Sequence, residues 1–320
     1  MARWRAPVAA GACPDGGTRP DEPGTGVAGE RGAPTARVLG RADLTQALAI
    51  CAVDAVASVL AAARLEIAVR SGFGVAAGQA WGFPDVGPLE AVCWAGANVV
   101  PVIPIADPAR RAEAVAAFAA VARVHGRRSS SIVGEQWAAL ALWEQLSRYW
   151  PPARDVRADQ PSMAIMTAPA LPPDPTVRRS VPAELDLVLP ACVHMFTEEV
   201  GYSPVSSGGS AYAERVRSLV EEGRSFVRLV PDDAGRPAVA FKAELGAVAG
   251  GVAQVQGVWV DPAFRGRGWS ESGMAAVVTA TRASIAPVVS LYVNAYNEKA
   301  LAAYRRVGFE QVGTFATVLF

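Results

Sequence analysis

Gln256-Gly257-Val258-Trp259-Val260-Asp261-Pro262-Ala263-Phe264-Arg265-Gly266-Arg267-Gly268-Trp269-Ser270 is the most informative stretch of the sequence. Its apolar beginning predicts a strand that the Asp-Pro pair ends, because proline has no N–H for the ladder and restricts the residue before it. The two glycines of the turn let successive backbone N–H groups point into one concavity, and a helix from about Trp269 adds unpaired amides. Arg265 and Arg267 bring charges suited to phosphate oxygens. The stretch predicts a pyrophosphate-binding loop, with an ordinary tight turn as the alternative for so short a glycine motif.

The composition is that of a globular chain with no charge bias. The chain has 320 residues, 51% of them hydrophobic, and its 30 basic and 30 acidic side chains cancel. This length predicts roughly two domains, and the neutral balance gives no electrostatic footprint for nucleic acid. No apolar run reaches the roughly 18–20 residues of a membrane span. We expect a cytoplasmic protein with neither a nucleic-acid nor a membrane partner.

Cysteine and histidine are too few and too scattered for a metal site. The cysteines form no CxxC pair and are most simply buried small hydrophobic residues: Cys13, Cys51, Cys93 and Cys192. His125 and His194 are the only histidines, which leaves little for a metal cluster. We expect no metal.

Shifts in composition divide the chain into four parts. Residues 1–35 are rich in Gly, Pro, Asp and Glu and predict a disordered tail. Residues 36–168 alternate helical and extended patterns, and residues 169–176 hold four prolines, which predict a stiff linker. A second domain then covers residues 177–320.

The two halves of the chain share a sequence pattern. Arg37 to Cys51 and Arg178 to Cys192 agree at Arg, Ala, Leu, Leu and Cys, with acid opposite acid. Each half then repeats the predicted order of strand, helices, hairpin, helix, strand, helix and extended tail. This predicts an internal duplication, although short Ala/Leu-rich helices also match by chance.

A second motif follows the glycine-rich loop. Asn297-Glu-Lys-Ala-Leu-Ala-Ala-Tyr-Arg-Arg-Val-Gly-Phe309 predicts a helix stopped by Gly308, and the strand Leu291-Tyr-Val293 precedes it. In order and spacing, the loop, the strand and the helix resemble the GNAT superfamily of acyl-CoA-dependent N-acyltransferases. The pattern departs from the family at Ser270, where Gly or Ala is commoner.

The chain also resembles a group of two-part, actinobacterial-type GNAT proteins whose first half is a domain of unknown function. The segments Phe196 to Pro204 and Val312 to Phe320 carry that likeness. The resemblance implies an α+β fold of tandem GNAT-like mixed β-sheets flanked by helices. The N-terminal copy would be degenerate and the C-terminal copy intact.

The first half lacks an Arg-Gly-x-Gly loop between Val100 and Pro108, and Trp143 stands where the duplication would place a tyrosine. We therefore expect no coenzyme A in the first half, which would instead shape the acceptor cleft or make a homodimer contact.

The family resemblance implies acetyl-CoA as cosubstrate and an amine as acceptor. Backbone groups of Val258, Trp259 and Val260 would pair with the pantetheine and the acyl carbonyl. The pyrophosphate would lie on the loop Arg265, Gly266, Arg267, Gly268, Trp269 and Ser270. Asn297 is either a pure helix cap or also a coenzyme contact. Tyr304 would be the general acid, with a packed helix-face aromatic as the alternative.

The general base is less defined by the sequence. Glu198 and Glu199 follow the first helix of the second half, and Glu244 lies in its third-strand region. We take Glu199 and Glu244 as candidate catalytic residues, although such a carboxylate is more often simply solvated. His194 fits an apolar helical pattern and is better interpreted as structural.

The expected reaction is direct transfer of an acetyl group to a primary amine in a ternary complex, because no cysteine is expected near the cleft. An acyl-CoA sensor, a catalytically silent module and a transferase for a longer acyl group remain open. A nucleotide-binding enzyme is disfavoured, since neither the Lys-Ser/Thr of a P-loop nor the acid of a Rossmann unit is present.

Overall fold

The computed structural model describes residues 35–205 and 210–320. The tail predicted for residues 1–35 lies outside these residues, except for Thr35. The strands are β1 (Arg37–Val38), β2 (Gln79–Phe83), β3 (Ala91–Ala95), β4 (Asn98–Val102), β5 (Ser131–Glu135), β6 (Asp155–Ile165), β7 (Arg178–Arg179), β8 (Ser225–Pro231), β9 (Pro237–Ala249), β10 (Val252–Val260), β11 (Val288–Tyr292) and β12 (Glu310–Leu319). The helices are α1 (Leu44–Ala52), α2 (Ala55–Ser71), α3 (Phe73–Ala76), α4 (Pro108–His125), α5 (Gln136–Leu146), α6 (Leu185–Val200), α7 (Ser210–Glu221), α8 (Trp269–Ser284) and α9 (Glu298–Val307).

The strands form one mixed sheet that runs through both halves of the chain. Its order is β1-β2-β3-β4-β5-β12-β6-β11-β10-β9-β8-β7. The pairs β4–β5 and β10–β11 are parallel, and the other neighbours are antiparallel. The predicted α+β class with mixed sheets is confirmed, and the two expected sheets are joined into one.

The last strand of each half lies in the other half. β12, from the end of the chain, pairs with β5, and β6, from the first half, pairs with β11. β6 and β12 pair with each other at the centre of the sheet. Read from either end, the order is five strands of one half followed by the last strand of the other, so the two halves exchange their terminal strands.

The apolar cores follow this exchange. Phe315, Ala316 and Val318 of β12 are buried in the clusters of the first half, against helices α1, α2, α4 and α5. Met163 and Ile165 of β6 are buried in the cluster beneath α8 and α9. A further cluster lies between α6, α7 and the strands of the second half. Helices therefore cover both faces of the sheet, and each half completes the core of the other.

The start of each half repeats the same local structure. Asp43 accepts a hydrogen bond from the Gly40 N–H at 2.9 Å and forms an ion pair with Arg37. Glu184 accepts one from the Val181 N–H at 3.0 Å and pairs with Arg178. The matching arginine and acid of the sequence comparison thus close the same turn in both halves.

The proline-rich segment 169–176 packs against the second half. The Ala170 N–H donates to the Val307 carbonyl at 2.8 Å, and the Asp174 N–H donates to the Ser272 carbonyl at 3.0 Å. The Asp174 carboxylate also pairs with Arg228. These bonds hold the segment beside the first turn of α8 and the end of α9.

Residues 35–205 and 210–320 contain neither a candidate membrane span nor a candidate metal site. Within these residues no helix has both the length and the apolar character of a membrane span. They also hold no group of three or more His, Cys, Asp or Glu side chains placed to bind a metal ion.

Candidate functional site

The site begins where strands β10 and β11 separate. Their parallel pairing covers Val252 to Gln254 and stops at the pair Gln254–Ser290. From Val255 to Val260, β10 pairs with β9 alone among the described strands, and that ladder is broken by a bulge at Gly257, whose φ is +60°. The separation leaves one edge of β10 free over the residues predicted to bind an acyl thioester, Val258, Trp259 and Val260. Backbone N–H and C=O groups on such an edge are available to a ligand.

The glycine-rich turn forms an open helix N-terminus at the end of this strand. Asp261 closes a short 3₁₀ turn by accepting from the Ala263 N–H at 2.9 Å. Gly266 and Gly268 then take the positive φ values of +79° and +73°, and Gly268 is the N-cap of α8. In the part of the chain that the structure describes, no protein group accepts a hydrogen bond from the amides of residues 266–270. These donors, with the positive end of the helix dipole, make an anion-binding cradle.

The two arginines of the turn have different partners. Arg265 donates to the Glu198 carboxylate at 2.7 Å and to the Val260 carbonyl at 3.0 Å. Arg267 lies over the Phe264 and Trp269 rings, at 5.4 Å from each centroid. No described carboxylate lies within ion-pair distance of Arg267. Arg265 therefore holds the loop in place, while Arg267 keeps a guanidinium free for an anion.

Trp269 anchors the first turn of α8. Its ring stacks on Phe264 at 5.4 Å, and the Arg228 guanidinium lies 3.7 Å above its centroid. Arg228 is held in turn by Asp174 of the proline-rich segment. Ser270 follows on the same turn, and its small side chain leaves the amides accessible.

Helix α9 carries the predicted cap and the predicted acid. Asn297 is the N-cap, and its side chain accepts from the Ala300 N–H at 3.2 Å. Tyr304 is buried in the cluster that also contains Leu291, Val258 and Val260. Its hydroxyl has no hydrogen-bond partner among the described residues. Burial, and secondarily the nearby Glu199 carboxylate, raise the pKa of Tyr304 above its usual value, so the phenol stays protonated at neutral pH.

The end of α6 places two acidic residues beside this cleft. Glu198 accepts from Arg265 and from the Trp259 Nε1 at 3.3 Å, which ties α6 to the loop. Glu199 accepts from Arg157 at 3.3 Å, and its carbonyl accepts a second bond from that guanidinium at 3.0 Å. Arg157 belongs to β6, so a residue of the first half reaches the site of the second through the exchanged strand.

Glu244 lies elsewhere, in a buried charge cluster behind the β10 bulge. It accepts from Lys242 at 2.6 Å and from the Cys192 thiol at 3.1 Å, and Arg215 lies 3.5 Å away. Burial disfavours the carboxylate, but the charges of Lys242 and Arg215 outweigh burial and hold the pKa of Glu244 below its usual value. A carboxylate so paired has little capacity to accept a proton. A Cβ on Gly257 would lie 3.3 Å from this carboxyl group, which places the cluster directly behind the bulge.

The position of Cys192 corrects one expectation. No cysteine was expected near the cleft, yet Cys192 lies in this cluster. Burial raises the pKa of its thiol to about 12, so it stays protonated at neutral pH. Because the thiolate is the nucleophilic form of cysteine, the protonated Cys192 has no nucleophilic role.

The corresponding elements of the first half lack the cradle. β4 and β5 also stay paired only at their beginnings, Asn98 with Ser131 and Val99 with Ile132. Helix α4 is capped by Asp107, whose carboxylate accepts from the Arg110 N–H at 2.7 Å, and Pro108 removes a donor from its first turn. A carboxylate thus occupies the helix end where the second half offers open amides.

Helix α5 places a different residue at the position of Tyr304 from the one that the sequence comparison predicts, Trp143. Its N-cap is Glu135, which accepts from the Trp137 and Ala138 N–H groups. Counted from the caps Glu135 and Asn297, the position of Tyr304 corresponds to the buried Leu142, one residue before Trp143. Trp143 instead packs edge-on against Phe320 at 5.5 Å. The first half has no hydroxyl at this position.

Arg157 and Arg228 belong to the site but are not indicated by any sequence motif. Each is isolated in the sequence among residues with no motif of their own. Arg157 is brought in by the strand exchange and Arg228 by a ring contact with Trp269. No local signal in the sequence could have identified them.

Comparison with known families agrees with this architecture. Residues 214–309 match the acetyltransferase (GNAT) family, and residues 78–188 match a domain of unknown function, DUF4081. The chain is thus a two-part protein in which a match to the GNAT acetyltransferases follows a match to a domain of unknown function, and the GNAT match supports an N-acyltransferase. The DUF4081 match runs through residues 169–176, and the boundaries 36–168 and 177–320 stay predictions.

Solved structures share the fold over most of the chain. A Drosophila protein aligns with TM-score 0.60 and 12% identity over 90% of this chain and 99% of its own. A GCN5-related N-acetyltransferase from Sphaerobacter thermophilus aligns with TM-score 0.53 and 19% identity, covering 90% and 96%. A tandem GNAT protein from the clavulanic acid biosynthesis pathway aligns with TM-score 0.52 and 14% identity, covering 89% and 98%. Identities this low establish the fold alone, and a search of curated proteins gave no match.

Proposed function

We propose that the protein is an acetyl-CoA-dependent N-acetyltransferase that moves an acetyl group directly to a primary amine in a ternary complex. The observation that carries the proposal is the row of unpaired amides at residues 266–270, at the end of a strand that has separated from its neighbour. A free strand edge leading to an open helix N-terminus suits a ligand with a long polar arm and a pyrophosphate. Acetyl-CoA has that form.

The coenzyme-binding roles follow from the free donors. The free edge of Val258, Trp259 and Val260 would pair with the pantetheine and polarise the thioester carbonyl. The amides of residues 266–270 and the Arg267 guanidinium would hold the pyrophosphate. Asn297 already caps α9, so a contact between its side chain and the coenzyme would use the remaining amide N–H₂ group.

Tyr304 is proposed as the general acid that protonates the leaving thiolate. Its raised pKa keeps the proton on the phenol at neutral pH, and its hydroxyl has no described protein partner to compete for that proton. A phenol is a weaker acid than a thiol, so the transfer depends on placement next to the sulfur as negative charge develops there.

Glu199 is the better of the two candidate bases. Its side chain is 54% exposed, so an incoming ammonium can reach it, and Arg157 fixes its position. Glu244 is fully enclosed and engaged by Lys242, Cys192 and Arg215, which suits a structural role. We expect Glu199→Gln to lower kcat with little change in the Kd for acetyl-CoA, because the base is lost and the cradle is unchanged.

Direct transfer is supported by the state of the thiols in the described residues. Cys51, Cys93 and Cys192 are buried, and burial raises the pKa of each. Thiols that stay protonated are poor nucleophiles, so a covalent acyl-enzyme on one of them is disfavoured.

The test is release of free thiol from acetyl-CoA in the presence of mixed primary amines, with binding measured separately by calorimetry. Tyr304→Phe should lower kcat by about 10²–10⁴-fold and leave the Kd for acetyl-CoA nearly unchanged. Tyr149→Phe, at an exposed tyrosine of the first half, is the matched control. Tight binding of acetyl-CoA without amine-stimulated thiol release would point to a sensor and overturn the proposal.

Gly268→Val should abolish acetyl-CoA binding, because a β-branched residue at a φ of +73° forces the loop to rearrange. Gly235→Val imposes the same strain, at a φ of +76°, in the β8–β9 turn, and each added Cβ would have open space around it. Equal loss of binding in both variants would show that folding, and not the cradle, is being measured.

A further inference from the structure

One arginine of β8 connects the proline-rich segment to the glycine-rich loop. The Arg228 guanidinium forms an ion pair with the Asp174 carboxylate and lies 3.7 Å above the centroid of the Trp269 ring. Both charged side chains are largely buried, with 19% of Arg228 and 7% of Asp174 exposed, so salt and water screen the pair less than they screen a surface ion pair. The segment between the two halves is therefore joined to the first residue of α8.

Asp174 is itself held in place before it meets Arg228. Its carboxylate accepts from the Thr176 N–H at 2.8 Å and from the Thr176 hydroxyl at 2.6 Å, and its own N–H donates to the Ser272 carbonyl at 3.0 Å. Burial alone would raise the pKa of Asp174, but the donors of Thr176 and the charge of Arg228 outweigh burial and hold that pKa below its usual value. Asp174 therefore stays ionised at neutral pH and is a fixed anchor for Arg228.

Arg228 in turn fixes an aromatic ring of the loop. The Trp269 ring stacks on Phe264 with centroids 5.4 Å apart and an interplanar angle of 22°. A guanidinium over an indole face is an attractive contact, and here it is the contact with Arg228. Arg228 and Phe264 together set the position of the Trp269 ring.

The position of this ring matters because the backbone of the loop is permissive. Gly266 and Gly268 have positive φ values, and in the described part of the chain no protein group accepts from the amides of residues 266–270. Glycine alone does not fix the direction of such donors. Arg265 holds the loop on the side of α6, and Trp269 holds it on the side of the proline-rich segment. Donors that are fixed before the ligand arrives bind it more tightly, because less ordering is required on binding.

We propose that Arg228 and Asp174 are positioning residues for the coenzyme loop, which orient it through Trp269 and set its affinity for acetyl-CoA without touching the coenzyme. The inference rests on the proposed binding of acetyl-CoA at this loop. It gives the proline-rich segment a role beyond joining the two halves of the chain, because the segment supplies the anchor of the loop.

Hydrogen exchange on the full-length protein without ligand tests the positioning directly. Arg228→Gln should speed exchange in residues 271–276, because the first-turn hydrogen bonds to the Gly268 carbonyl lose their support. Arg236→Gln is the matched control, since Arg236 pairs with Asp232 in the β8–β9 turn, and it should leave exchange in residues 271–276 unchanged. Unchanged exchange there in Arg228→Gln would overturn the proposal, even if the protein binds acetyl-CoA.

Calorimetry with acetyl-CoA measures the consequence for binding. Arg228→Gln and Asp174→Asn should each raise the Kd roughly tenfold, and Arg228→Lys should raise it less, because its ammonium group keeps a charge beside the ring and the carboxylate. The kcat at saturating acetyl-CoA should not change. Failure of the unaltered protein to bind acetyl-CoA would contradict the proposed function. Normal binding by the unaltered protein with the same Kd in Arg228→Gln would contradict the positioning role alone.

Two further variants separate positioning from direct contact and from global stability. If Arg228 acts through Trp269, the double variant Arg228→Gln, Trp269→Leu should bind acetyl-CoA within about twofold of the weaker single variant. Fully additive losses would show that Arg228 meets the coenzyme directly and would overturn the proposal. Leu142→Ala, at a buried position of the first half, should lower the Tm and leave the Kd unchanged. A rise in Kd equal to that of Arg228→Gln would show that the Kd follows global stability, which also contradicts the proposal.

Discussion

Arg265 and Arg267 are two residues apart, but only Arg265 has a carboxylate partner among the described residues. Arg265 is neutralised by Glu198 and ties the loop to α6, whereas Arg267 has only aromatic faces beneath it. A cation without an anionic partner beside open amides attracts a phosphate.

We predict that Arg267→Gln raises the KM for acetyl-CoA by roughly tenfold with little change in Tm, because one charge-assisted bond to the pyrophosphate is lost. Arg265→Gln is the paired variant and should lower Tm as well, since it frees Glu198 and α6. Steady-state kinetics and thermal melts separate the two effects. A larger KM change in Arg265→Gln than in Arg267→Gln would reverse the assignment of the two residues.

The Lys242–Glu244 pair is a buried structural unit behind the β10 bulge. Lys242 is fully buried and its pKa, which burial alone would lower, is held above the usual value by the charges around it, Glu244 first among them. Removing Lys242 leaves the buried Glu244 carboxylate with only the partly exposed Arg215 at 3.5 Å as a counter-charge.

We therefore predict that Lys242→Met destabilises the protein by about 3–5 kcal/mol in urea unfolding. The double variant Lys242→Met, Glu244→Leu should recover a large part of that loss, because it removes both charges. If the double variant loses as much free energy of unfolding as Lys242→Met and Glu244→Leu lose together, the two residues act independently. The pair would then not be a structural unit.

Single residues were predictable where a local rule governs them. The Asn297 cap and the Gly308 stop were predicted from helix-end chemistry and are found in α9. Lys242 and Glu244 alternate with apolar neighbours, a pattern that usually means a solvated strand face. Helices α6 and α7 cover that face, and this packing is not encoded in the strand's own sequence.

At the scale of elements, the decisive contrast is between the beginnings of α4 and α8. Asp107 supplies a carboxylate to the amides of α4, and Gly268 leaves those of α8 open. The N-terminus of α8 is therefore open to an anion, whereas the N-terminus of α4 is already occupied by a carboxylate.

This contrast predicts one acetyl-CoA site per chain. Calorimetry on the full-length protein should give a stoichiometry close to one, and the Gly268→Val variant should show no remaining coenzyme site. A stoichiometry near two, or residual binding in Gly268→Val that Asp107→Ala strengthens, would mean that α4 also binds the coenzyme.

Element order was predictable because each half follows its own hydrophobic periodicity and turn residues. The matching turns at Arg37–Asp43 and Arg178–Glu184 explain why the duplication was visible in the sequence at all. Strand partners were not predictable. Alternation of side chains tells which face of a strand is buried, but it does not say which strand lies beside it.

At the scale of the whole molecule, the sheet depends on the exchanged strands. Phe315 of β12 is 1% exposed, stacks on Tyr292 at 5.1 Å and lies opposite Glu135 of β5. One residue near the end of the chain therefore supports strands of both halves.

We predict that Phe315→Ala lowers the free energy of unfolding by about 3–5 kcal/mol. Hydrogen exchange should increase in β5 and β6 of the first half as well as in β11, because all are linked through β12. Val278→Ala in α8, a buried substitution within the second half, is the comparison variant. Increased exchange confined to residues 177–320 in Phe315→Ala would show that the halves unfold independently.

The exchange of strands β6 and β12 makes each half of the chain depend on the other. Two units that each place their last strand in the other are the arrangement of a domain-swapped homodimer, here contained in a single polypeptide. Once the subunits are fused, selection can act on each site separately, while neither copy can be deleted without unpairing the strand it lends. The first half, whose α4 helix end is closed by Asp107, is therefore an indispensable part of the scaffold.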